Sequence, residues 1–73
     1  MNDSIEALQA AHQSLLSMLN KIKKAIVSLE EKQTVGGNYQ SQLTLSKNRV
    51  KALEISLVLI EREMAVQKKE EIR

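Results

Sequence analysis

Val35-Gly36-Gly37-Asn38 is the stretch that decides the fold. It holds both glycines of a 73-residue chain that has no proline. Glycine reaches the left-handed conformations that stop a helix at no steric cost. On both sides of this point, helix-favouring residues dominate. A stop near the midpoint of two such stretches predicts an all-α fold, a two-helix antiparallel hairpin of coiled-coil type. The expected layout is one hairpin domain over residues 1–73. Helix 1 covers about 4–34, the Gly-Gly turn 35–38 and helix 2 about 39–68. The charged tail from Gln67 to Arg73 is expected to fray.

Upstream of the turn, Ile5, Leu8, Leu15, Leu19, Ile22, Ile26 and Leu29 recur at helical spacing. With His12 in one slot, the spacing alternates strictly between 3 and 4. That is a heptad seam, the pattern that packs one helix against another. Ala11, Met18 and Ala25 flank the seam and are expected to widen it. Asp3 can cap the first turn, with Glu6 three residues on to reach back as a capping box.

Downstream, Asn38 can cap the second helix. There Tyr39, Leu43, Val50, Leu53, Leu57, Ile60 and Met64 repeat the alternation if Ser46 fills one slot. These residues and those of the first seam make up the expected hairpin core.

Helix 2 carries a second row. Leu45, Ala52, Leu59 and Val66 recur every 7 residues, with Ile55 beside them. At about 100° per residue this row lies roughly 160° from the seam. A helix that is apolar nearly all round, as over Ala52 to Ile60, belongs among neighbours on several sides. One partner helix covers one side only. Single exposed leucines are ordinary on any protein, but a row on one face marks an interface. Leu45, Ala52, Ile55, Leu59 and Val66 are therefore the expected partner-binding residues.

Composition narrows the function. A chain this short builds a small core and is usually stapled by disulfides, a metal or oligomerisation. There is no Cys and only one His, which rules out disulfides and a His/Cys metal site. Oligomerisation remains, so a homo-oligomer is expected for the isolated chain. The lack of Cys fits a reducing cytoplasm. The first residues show no basic segment followed by an apolar one, so no signal peptide is expected. The apolar run Ile55 to Ile60 falls far short of the ~20 residues that span a bilayer.

A net charge of +2 gives little pull toward nucleic acid or membrane, and neither is expected as a partner. Lys21, Lys23 and Lys24, with Lys47, Arg49 and Lys51, could touch phosphates; their spacing spreads them around the helices as a solvated surface. His12 could act as a pH-sensitive switch, but a His tolerated at the wet end of the seam is the plainer reading. Tyr39 could be a binding hot spot, or could cover the end of the core. Neither a catalytic Ser/His/Asp set nor a Gly-rich phosphate loop is present. No enzyme activity, cofactor or metal is expected.

Gly36-Gly37, then Tyr39-Gln40, then Ala52-Leu53-Glu54 followed by the apolar Ile55-Ser56-Leu57-Val58-Leu59-Ile60 is similar to the small co-chaperones of bacterial type III secretion needles, the YscE/PscE/SsaE type. The resemblance covers about residues 15–65; residues 1–14 lie outside it. It implies a cytoplasmic bacterial co-chaperone with a role in virulence. Such a chain binds and stabilises a larger chaperone of tetratricopeptide-like helical repeats, and the pair keeps the needle subunit monomeric before export. Two other readings compete. One is an RNA-binding, Rop-like homodimeric four-helix bundle, which needs a basic face. The other is a structural coiled-coil subunit of a larger assembly.

Overall fold

The computed structural model describes residues 4–71. Two helices, α1 (Ile5–Thr34) and α2 (Gln40–Glu71), pack as an antiparallel hairpin measuring 59 × 17 × 15 Å. Among the described residues there is no strand.

The ends of the helices differ from expectation in three places. Ser4, in extended backbone (φ −68°, ψ 158°), is the N-cap of α1, and its Oγ accepts from the Ala7 amide at 3.1 Å. Asp3 lies outside the described residues. With Ser4 as the cap, the third helical position is Ala7, which has no side chain to complete a capping box, so Glu6 serves only as an acid in the first turn. At the start of α2 the Tyr39 carbonyl accepts from the Leu43 amide at 2.9 Å. The cap position is thus Tyr39, one residue after Asn38. At the far end α2 continues to Glu71, past the expected boundary. Gln67 donates to Glu63 one turn back at 3.2 Å, and Lys68 and Lys69 oppose the negative end of the helix dipole. Ile72 and Arg73 lie outside the described residues.

The turn is a Schellman motif. The Gly37 amide donates to Lys32 C=O and the Gly36 amide to Gln33 C=O, both at 3.2 Å. Gly36 has φ +105°, which a side chain would strain. At Gly37 a Cβ would collide with the Tyr39 ring and crowd the Lys32 carbonyl at 3.1 Å. Tyr39 is half-buried against the turn, the end-covering position.

Among the described residues four leucines form the buried core: Leu8, Leu19, Leu43 and Leu57. The remaining seam residues, Ile5, Leu15, Ile22, Ile26, Leu29, Val50, Leu53, Ile60 and Met64, are half-buried, as are His12 and Ser46. Among the described residues no side chain is fully enclosed, because one helix can cover only one side of another. The same limit corrects the expected width of the first seam. Met18 is 51% exposed and Ala25 is exposed; only Ala11 is half-buried. The seam also runs one slot beyond Leu29. Gln33 is half-buried there, its Nε2 donating to Gln40 Oε1 at 3.4 Å, while its Oε1 is buried without a partner among protein groups.

Candidate partner-binding surface

The second row of α2 faces away from α1. Leu45 (53% exposed), Ile55 (54%), Leu59 (57%) and Val66 (51%) all stand open, and Ala52 is exposed with them. Val58, which the periodicity did not single out, joins them. Because each of these side chains is already about half covered by its own helix, full burial of Ile55 or Leu59 against a partner would contribute about 1 kcal/mol each.

Cross-helix contacts set what lies level with this row. His12 faces Glu61 at 2.9 Å, Gln33 faces Gln40 at 3.4 Å, and Glu30 lies 3.6 Å from Lys47. Stepping one turn from His12–Glu61 along each helix brings Leu16 level with Leu57. Two residues further, Met18 is level with Ile55. Leu16 and Met18 are exposed on α1. Five exposed apolar side chains therefore lie at one level of the hairpin, in a band around it: Leu16 and Met18 on α1, and Ile55, Val58 and Leu59 on α2. Leu16 escaped the sequence reading because it sits beside seam residue Leu15. Only the narrowness of a two-helix contact decides that Leu16 is left outside.

Within the band a shallow groove of about 420 Å³ is lined by Ile55, Val58 and Leu59, with Lys51, Glu54 and Arg62 around them. An apolar floor with charged edges of both signs suits another helix better than a small polar ligand. Ser56, the polar interruption in this stretch, donates back to the Ala52 carbonyl at 2.9 Å, so its hydroxyl makes no demand on a partner. His12 and Glu61 meet across the helices at the flank of the band, as a half-buried imidazole against an exposed carboxylate.

The basic residues do not converge. Lys21, Lys23, Lys24, Lys47, Arg49 and Lys51 are all exposed and point around both helices, and Lys47 is held by Glu30. Among the described residues no group of His, Cys, Asp or Glu could hold a metal ion. No helix there is long and apolar enough to cross a membrane. Protein-family models, curated proteins and solved structures offer no match to this chain.

Proposed function

We propose that this hairpin is a protein-binding module that works as a small co-chaperone. It docks the outer face of α2 on a larger helical-repeat chaperone and stabilises it, and through it helps keep a needle subunit monomeric before export. The observation that carries the reading is the disproportion between core and surface. Four leucines are buried between the helices, while Leu45, Ile55, Val58, Leu59 and Val66 stand about half exposed on one element. Two helices of this size cannot enclose a polymerising substrate, so the hairpin acts on the substrate's keeper. A helical-repeat array leaves an apolar end that needs a cover with a polar outer side. The hairpin offers α2 to the array, while the exposed Gln13, Asn20, Lys23 and Lys24 of α1 stay in water. A ligand that binds only the folded state stabilises it by mass action. The specific partner class rests on the resemblance of the Gly36-Gly37 to Ile60 stretch to the needle co-chaperones.

The test is affinity purification from the native host with the wild-type chain and with Leu59→Asp. A helical-repeat protein carrying the needle subunit should be retained by the wild type and lost by the variant. If deleting this chain leaves the solubility of that repeat protein and the level of the needle subunit unchanged, the mechanism is wrong.

A further inference from the structure

We propose that a second copy of the chain occupies the outer face of α2 when no other partner does, and that the two α2 helices run antiparallel about a two-fold axis beside Ser56 and Leu57. The positions facing outward are Leu45, Asn48, Ala52, Ile55, Leu59, Arg62 and Val66, again at alternating spacings of 3 and 4. This is a second heptad seam on the same helix, about 32 Å long at 1.5 Å per residue. An antiparallel pairing centred there sets Ile55 against Leu59 of the other copy, and Leu59 against Ile55. It also lays the long stem of Arg62 over the small Ala52, a large residue against a small one.

Charge selects this register. Arg49, Ser56 and Glu63 form one flank of the seam, at intervals of 7, and all lie at the surface, Ser56 half-buried. The antiparallel pairing places Arg49 beside Glu63 of the other copy, twice by symmetry. On the opposite flank, apolar Val58 meets itself. A parallel pairing would instead stack Arg62 on Arg62 within the seam and set Arg49 against Thr44 and Glu63 against Val58, so that neither flank charge meets its opposite. Among the described residues the ion pairs within the hairpin are His12–Glu61 and Lys47–Glu30. Arg49, Lys51, Glu54 and Arg62 are thus available to a second chain. Because the two seams of α2 lie roughly 160° apart, the four helices stand nearly in a row, unlike the square bundle of a Rop-type dimer. This self-pairing does not depend on the co-chaperone role, and it is measured on the pure chain with no other protein present.

Sedimentation equilibrium of the wild type, R49E, E63R and R49E/E63R tests the register. Both substitutions are on exposed helix positions and leave the hairpin core untouched. Each single variant should raise the dimer dissociation constant about tenfold, and the double variant should return it to within about threefold of wild type. Because the chain has no Cys, N48C and V66C each introduce a single thiol. Mixed N48C and V66C chains should form a disulfide-linked heterodimer on oxidation, while N48C alone should not link to itself. A wild type that is monomeric at every concentration, a double variant as weak as the singles, or efficient N48C self-linkage would each overturn the proposal.

Discussion

His12 on α1 and Glu61 on α2, 49 residues apart in sequence, meet with the imidazole Nε2 donating to the carboxylate at 2.9 Å. His12 occupies a seam slot, and every other seam position of α1 from Ile5 to Leu29 holds an aliphatic side chain. Two effects oppose each other there. The bond crosses between helices and favours the paired register, but Glu61 is 59% exposed on its side chain, so water screens it to well under about 1 kcal/mol. An apolar side chain in the slot would bury more area against α2, worth about 1 kcal/mol for a half-buried position. Packing should win. His12→Leu is expected to raise Tm by roughly 4–8 °C for a domain of this size, and Glu61→Ala to lower it by less. A His12→Leu variant that melts below wild type would show that the cross-helix bond outweighs the packing.

Much of the fold is legible in the spacing of apolar residues, because a heptad period over four turns or more has no other cheap explanation. The Gly pair then tells where the seam folds back. The helix ends are less legible for a local reason. Asp3 and Ser4 are adjacent and both can accept a hydrogen bond, so composition does not separate them; backbone conformation at Ser4 does. The exposed row on α2 is legible as well, since Leu45, Ala52, Leu59 and Val66 share one face at an interval of 7. Leu16 and Met18 are not, because their neighbours Leu15 and Leu19 belong to the seam. How far a seam extends sideways depends on how many helices cover it, and that is a tertiary fact.

The two glycines should fail differently. Gly36 holds φ +105° with open space around it, so Gly36→Ala adds backbone strain alone, about 1–2 kcal/mol. Gly37 is limited by the Tyr39 ring and the Lys32 carbonyl. Part of the cost of Gly37→Ala is therefore removed when the ring is removed. Thermal melts of G36A, G37A, Y39A and the two doubles with Y39A should show additivity for Gly36 and a milder G37A effect in the Y39A background. Additivity at both positions would mean that the ring does not constrain the turn.

Gln33 closes the seam with a polar amide whose hydrogen bond to Gln40 is long, at 3.4 Å, and whose oxygen has no partner among protein groups. A buried acceptor left unpaired costs on the order of 1–3 kcal/mol. Gln33→Leu removes that cost and extends the apolar contact toward buried Leu43. Chemical denaturation should show a gain of about 1 kcal/mol with an unchanged slope against denaturant. A loss of stability would mean that the amide fixes the pairing near the turn.

Leu59→Asp separates folding from association. Leu59 is 57% exposed and points away from α1, so inside the hairpin the change costs little more than the helix-propensity difference of about half a kcal/mol. Against a second copy or a helical partner, the same residue is covered on all sides. An aspartate there would bury a charge with no counter-ion, and even with local rearrangement the cost is several kcal/mol. Far-UV circular dichroism should therefore stay helical, with Tm shifted by a few degrees at most, while association weakens at least about a hundredfold. The control is Val27→Asp. Val27 is 55% exposed, similarly apolar, and sits on α1 away from the row. If general stickiness drives association, the two variants lose it alike. If the outer face of α2 drives it, Val27→Asp associates as the wild type does and Leu59→Asp does not. Equal loss in both variants would remove the case for a specific surface, and with it the assignment of Leu45, Ala52, Ile55, Leu59 and Val66 as the residues that meet a partner.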